Sequence, residues 1–383
     1  MIEQSILESL NAPTKAERLA NLAKILPQTQ FPPMVDAYIN NHIHTTYSFS
    51  PYSPTAAVYA ARMEGLCTAG IIDHDSISGA EEFLEAAKMV GMPVTIGMEC
   101  RVSMENTRLQ GRRTNNPDQE GVSYMTIQSV PRDKIDRLTE FFRPYRQARH
   151  QRNRKMLQKI NELLSLDMDY DRDVLPLSQA AEEGGVTERH LMYALAMRLM
   201  QDAGRGEPMV EKLTAMGLTL SEKQKQQMLD MEYPFYAYDL LGILKGAFVP
   251  QIFIPATDEC PKLPDVVAIC REVDAYLCYA YLGDVGDSVT GDKKAQKFED
   301  DYLEDVFLCL EEEGVKAVTY MPTRNTPAQL DRLRALCRQY GMFEISGEDI
   351  NSPRQSFVIR AMEDPKFANL IEATWKLIEH EKQ

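Results

Sequence analysis

The strongest constraint on this chain's fold is an alternation, in which short apolar runs recur along the sequence and helical patterns separate them. The runs cover 69–72, 94–98, 124–127, 275–281, 315–321 and 342–346, and a further one ends at His42. Patterns with helical period lie between them, for example at 80–90 and 330–340. Short apolar runs fit strands buried on both faces. Repeated strand–helix alternation predicts a parallel α/β sheet, open or closed into a barrel, of about seven strands. The alternation is broken once, from roughly 132 to 245, where Met156, Ile160, Leu163 and Leu164 form one helical stripe and Leu191, Leu195 and Leu199 another. Thr187 caps the second stripe, and the region reads as a helical insertion between two strands. Near the N-terminus, Thr14 and Glu17 make a capping box, and Leu19, Leu22 and Leu26 follow at helical spacing. An amphipathic helix over 14–26, packed on the main domain, is therefore expected.

Composition narrows the function classes. With 42 Lys+Arg against 57 Asp+Glu, the net charge of −15 repels a phosphate backbone at long range, so general nucleic-acid binding is not expected. No run is apolar for long enough to span a bilayer, and 1–10 lack the basic start and apolar core of a signal peptide. The seven cysteines are scattered without a C-x-x-C pair. They read as reduced thiols, and a cytoplasmic location with no membrane partner is the expectation.

Six histidines occur in all, and two of them, His42 and His44, fall two apart in "YINNHIHTTYSFS". Side chains two apart on a strand share a face, so the imidazoles are placed to hold a metal or to form a polar face with ordinary hydrogen bonds. Other residues decide between these. His74 follows "TAGIID", Glu99 follows "VTIGM" and Asp349 follows "GMFEISGE". All sit at the C-terminal ends of apolar runs, the face on which α/β barrels build active sites. Imidazoles with carboxylates form a mixed N/O set suited to Zn, Mn or Fe.

The segments "HIHTTYS", "AGIIDHDSISG", "IGMEC" and "ISGEDIN" resemble successive motifs of the PHP (polymerase and histidinol phosphatase) superfamily of metal-dependent phosphoesterases. "RQARHQRNRKML" and "VTERHLMYAL" are similar to the insert of stand-alone members that act on nucleotides and short nucleic acids. The resemblance covers most of 41–352. It implies an α/β fold, a distorted seven-stranded (β/α) barrel built from 37–131 and 246–383, with a helical insertion at 132–245 and an N-terminal helical extension at 1–36. It also implies up to three metals at the barrel mouth. His42, His44, Glu99 and Asp349 match the ligands of the first site, and His74 matches a ligand of the second.

Departures from the family pattern limit that inference. Phe49 stands where an Asp is usual and Asn351 where a His is usual, while Tyr281-Leu282 replaces a His-Pro and Thr126 lies near another lost His. The first site is complete. The second retains His74 and, at most, the weak amide oxygen of Asn351, and the third has lost its imidazoles. One tightly bound divalent ion (Zn, Mn or Fe) with a weak second site is the expected cofactor.

The expected function is hydrolysis of a small phosphorylated substrate, a nucleotide or similar ester, by metal-activated water. His74 would hold a second metal or protonate the leaving oxygen. The alternative is a degenerate barrel that binds a phosphorylated ligand or partner without turnover. Arg324 and Arg354 follow strand ends and are the expected phosphate contacts, because Arg favours bidentate binding of phosphate. Asp284 and Asp287 either shape a turn or replace lost ligands. Arg108, Arg112 and Arg113 read as a solvated loop, His190 as a helix-start or core residue, and His150 and His380 as solvated.

Overall fold

The computed structural model describes residues 2–286 and 296–382. Its strands are β1 (Val35–Ile43), β2 (Leu66–His74), β3 (Val94–Ser103), β4 (Val122–Gln128), β5 (Tyr276–Ala280), β6 (Ala317–Tyr320) and β7 (Phe343–Ser346), hydrogen-bonded in chain order into one seven-stranded sheet. Ile43 also bridges to Ile350, just past β7, so the sheet closes almost completely into a barrel. The helices of the first half are α1 (Gln4–Leu10), α2 (Lys15–Ile25), α3 (Pro54–Met63) and α4 (Ala80–Val90). The insertion carries α5 (Ile135–Leu164), α6 (Glu188–Ala203), α7 (Glu207–Ala215), α8 (Glu222–Leu229) and α9 (Tyr236–Ile252). The barrel resumes with α10 (Leu263–Glu272), α11 (Leu303–Glu313), α12 (Pro327–Tyr340) and α13 (Ala368–His380).

The expected parallel sheet is broken at one strand. β4 runs antiparallel to both β3 and β5. Parallel neighbours need a crossover, usually a helix, but the connection at 104–121 has none, so β4 returns alongside β3. β2 and β3 are buried along almost their whole length, which accounts for their continuous apolar character. Their register pairs His74 with Glu99 and so sets both side chains at the same level of the barrel.

The N-terminal helix forms as the capping box predicts. Thr14 accepts from the Glu17 amide, and the Glu17 carboxylate accepts from the Thr14 amide. Arg18 of this helix is buried and pairs in two-pronged fashion with Glu82 on α4, at 2.8 and 2.5 Å. The insertion has its own apolar core, which includes Met156, Ile160, Leu191, Leu195 and Leu199. Leu163 is exposed and Leu164 lies only at the edge, so the stripe on α5 is shorter than its sequence pattern.

Three of the six arginines of α5 are turned inward. Arg146, Arg149 and Arg152 are buried among Asp75, Glu183, Glu188 and Glu259, with Arg149 Nη2 2.9 Å from Glu188. These pairs tie the insertion to the end of β2. These three arginines of the helix thus spend their charge on internal ion pairs. All seven cysteines are buried and free. Among the described residues, no helix is long and apolar enough to cross a membrane.

Candidate metal centre

The ends of β1, β2 and β3 and the segment after β7 bring His42, His44, His74, Glu99 and Asp349 together at the barrel mouth. His44 Nε2 lies 3.2 Å from Asp349 Oδ1 and 3.9 Å from Glu99 Oε2, and His42 Nε2 lies 3.8 Å from that same Glu99 oxygen. His74 Nδ1 is 2.9 Å from it. The His42 and His44 Nε2 atoms are buried and have no hydrogen-bond partner among the described residues. A buried polar nitrogen without a partner carries an unmet desolvation cost. Donor atoms around one ion bonded at about 2.0–2.2 Å sit at separations of this size, so the residues fit a divalent metal. Two triads can be drawn, His42–His44–Asp349 and His44–His74–Glu99. Because both use His44, they describe one centre.

The tautomer of His44 follows from its neighbours. Ser48 donates its hydroxyl to Asp73 Oδ1 at 2.6 Å, so its oxygen is left to accept from His44 Nδ1 at 3.2 Å. Nδ1 therefore carries the proton and Nε2 presents its lone pair to the centre. Asp73 is fixed in turn by the Thr45 amide and hydroxyl, each at 2.6 Å. On the other side, Asn40 Oδ1 accepts from the His42 and Glu348 amides, clipping β1 to the segment that carries Asp349. Gly347 permits that approach, since a Cβ there would lie 2.6 Å from His42 Cβ.

Electrostatics favour a cation. Burial alone would lift the Glu99 carboxyl, but His74 and His42 outweigh it and hold Glu99 well below the usual carboxylate range. Asp349 is lowered likewise, His44 overcoming the effect of burial. Burial keeps His44 below its ordinary value. For His42 burial acts in the same direction, but Glu99 reverses it and the net shift is upward.

A cavity of about 340 Å³ opens over these residues. Arg324 lines it and accompanies two cations from the insertion, Arg189 and Lys245. None of the three forms an ion pair among the described residues. Arg354 is not brought to the cavity. It makes a two-pronged pair with Asp239 of α9, at 3.0 and 2.7 Å, and stacks over Tyr233. A partner from an element over a hundred residues away captures it, which its position after Asp349 does not reveal. Asp284 accepts from the Phe298 amide and pairs with Lys297, and Asp287 lies outside the described residues.

The PHP domain family matches residues 40–198. That match takes in 159 of the 383 residues. A 64-residue stretch is 38% identical to the 5'-3' exoribonuclease of Haemophilus influenzae, and 97 residues are 33% identical to the error-prone DNA polymerase of Mycobacterium bovis. These matches take in 17% and 25% of the chain, but only 23% and 8% of those relatives. In fold it is similar to a protein of Bifidobacterium adolescentis assigned as a metal-dependent phosphoesterase, with TM-score 0.55 and 17% identity over 89% of this chain and 98% of that one. It is also similar to an amidohydrolase of Chromobacterium violaceum, with TM-score 0.53 and 15% identity over 84% and 90%.

The departures from the PHP pattern have distinct fates. Phe49 does not lie beside the centre but is buried in the core of the insertion, 4.9 Å from the His190 ring and within 5.7 Å of Tyr193 and Tyr238. Asn351 is not free to act as a ligand, because its amide oxygen accepts from Arg189 and its nitrogen donates to Asp349. Tyr281 donates its hydroxyl to Asp300. His190 caps α6 as expected, whereas His150 and His380 are half-buried and bonded to Tyr170 and Ser129. Arg108 and Arg112 pair with acidic residues of α11.

Behind the cavity wall, Glu299 is fully buried, with one oxygen accepting from the Leu282 and Gly283 amides and the other unpartnered among the described residues. Burial pushes its carboxyl up to about 7. The folded state thus holds this proton more tightly than the unfolded one, and stability falls as pH rises from the unfolded value toward and past 7. Glu299→Gln keeps the acceptor and removes the charge. It should stabilise the protein by about 2–3 kcal/mol at pH 8.5 and by nearly nothing at pH 4.5, as read from denaturant unfolding at the two pH values.

Proposed function

We propose that this PHP barrel hydrolyses phosphate esters of small compounds, a nucleotide or a similar phosphorylated molecule, at a centre holding one divalent ion, Zn, Mn or Fe. The carrying observation is the convergence of two buried, unpartnered imidazole nitrogens on two carboxylates. His42, His44, Glu99 and Asp349 would hold the ion. When bound, such an ion lowers the pKa of a coordinated water toward neutrality and offsets charge on phosphoryl oxygens.

The chain's own groups supply the rest. His44 is locked in one tautomer through Ser48 and Asp73, so it presents a lone pair without reorganising. His74 is anchored at Nδ1 by Glu99 and borders the cavity, and its Nε2 would pass a proton to the leaving oxygen. Arg324, Arg189 and Lys245 line the cavity with positive charge that no ion pair takes up among the described residues, which favours an anionic substrate. The cavity's size suits a small ligand.

If Arg324 contacts phosphate, Arg324→Ala raises KM about tenfold or more, one charge-assisted bond being worth about 1.5–3 kcal/mol. Arg354→Ala leaves KM unchanged. Steady-state kinetics on the two variants check this. The reading itself is tested by assaying mono- and diester substrates before chelation, after chelation, and after return of Zn, Mn or Fe. Hydrolysis lost and then restored supports the enzyme. Retained metal without turnover on any ester would mark a barrel that binds phosphorylated ligands only.

A further inference from the structure

Asn351 occupies the position of a lost PHP ligand, yet the structure gives it a defined task. Its side chain is an amide with one acceptor and one donor end, and both ends are committed. Oδ1 accepts from Arg189 Nη1 at 2.7 Å, and Nδ2 donates to Asp349 Oδ1 at 2.6 Å. The orientation is fixed chemically, because a guanidinium can only donate and a carboxylate can only accept. The Asp349 oxygen that Asn351 grips is the one 3.2 Å from His44 Nε2. A second bond anchors the amide from behind, since the Asn351 backbone N–H donates to Gln355 Oε1 at 2.9 Å. Arg189 belongs to α6, 162 residues away in sequence, so the path Arg189–Asn351–Asp349 runs from the insertion straight into the centre.

We infer that Asn351 is a positioning residue that holds Asp349 in its metal-binding orientation, and that Arg189 makes this orientation depend on the seating of α6 against the barrel. The inference rests on the proposed metal centre. It converts a missing ligand into an outer partner of a retained one, and by linkage it makes metal binding and docking of the insertion mutually reinforcing. Asp349 needs such a support because its side chain is nearly half exposed, at 45%, whereas Glu99 on the opposite side is only 9% exposed. A carboxylate on an irregular segment open to solvent has rotamers to lose, and the Asn351 amide restricts them before the ion arrives.

Simple charge reasoning makes the opposite forecast for Arg189. Removing a cation near a metal site lessens repulsion and tightens binding, whereas removing the support of Asn351 loosens it. The test is the affinity of substrate-free protein for Zn²⁺, measured by competition with a chromophoric chelator, together with the melting temperature with and without metal. Asn351→Ala should weaken binding by about 10–100-fold, the range typical for outer-shell partners, with little change in the metal-free melting temperature. Arg189→Ala should weaken it by a smaller factor, Arg189→Lys should recover most of that loss, and Arg189→Ala added to Asn351→Ala should cost nothing further. Arg354→Ala loosens the same insertion through Asp239 without touching Asp349, and should leave Zn²⁺ affinity unchanged.

Unaltered affinity in Asn351→Ala would overturn the positioning role, and tighter binding in Arg189→Ala would overturn the link to α6. Equal loss in Arg354→Ala would reduce the effect to general loosening. Absence of tight Zn²⁺ binding in the wild-type protein would instead remove the metal centre on which the inference rests.

Discussion

Phe49→Asp is expected to unfold the helical insertion, although it restores the residue type usual at this position in PHP sequences. The Phe49 ring is packed against His190, Tyr193 and Tyr238 inside the core of the insertion. Deleting a buried Phe side chain costs about 3–5 kcal/mol. Putting a carboxylate in its place adds the cost of an unpaired buried charge, about 1–3 kcal/mol or more. His190 offers no ready compensation. Burial holds it neutral, lowered to about 3, and its Nδ1 already accepts from the Thr187 amide. The sum is comparable to the whole stability of an ordinary domain, about 5–15 kcal/mol. Urea unfolding followed by limited proteolysis should show early loss of residues 132–245 in this variant. A Phe49→Asp protein as stable as wild type that also gains a second ion would mean that the segment can turn its side chain toward His74.

The second large effect concerns His44, the residue common to both metal-binding triads. His44→Ala removes an imidazole that lies 3.2 Å from Asp349 and 3.9 Å from Glu99. Bound metal and phosphoesterase turnover should both fall by about 10³-fold or more, beyond the 10–100-fold loss typical of outer partners. The gain in melting temperature expected of wild type on adding metal should vanish with them. Asp73→Asn, which weakens the support of Ser48 and Thr45 behind His44 without removing a ligand, should stay within the smaller range. Metal content by elemental analysis, paired with calorimetry, separates the two outcomes. A His44→Ala protein that keeps a full equivalent of metal would place the centre elsewhere.

Much of this was legible from sequence because it depends on local periodicity. The apolar runs mark the strands, Thr14 and Glu17 mark α2, and the position of His74, Glu99 and Asp349 at strand ends brings five residues to one mouth without any knowledge of contacts. What stayed hidden depends on distant partners. Nothing near Arg354 announces Asp239, and nothing near Phe49 announces that the end of β1 feeds the core of the insertion. Arg189 and Lys245 lie on helices whose patterns signal only amphipathicity, so their approach to the cavity needs the packing of α6 and α9 over the barrel. The reversal of β4 escaped for another reason. A strand buried on both faces reads the same in either direction, and only the missing crossover helix at 104–121 separates parallel from antiparallel.

The central claim is that His42, His44, Glu99 and Asp349 hold a single divalent ion. Anomalous diffraction from crystals equilibrated with Zn²⁺ or Mn²⁺ tests it most directly. The predicted result is one strong peak per chain, about 2.0–2.2 Å from Nε2 of both His42 and His44 and in contact with a carboxylate oxygen of Glu99 or Asp349. No peak at the barrel mouth, or a peak there that neither histidine touches, would contradict it.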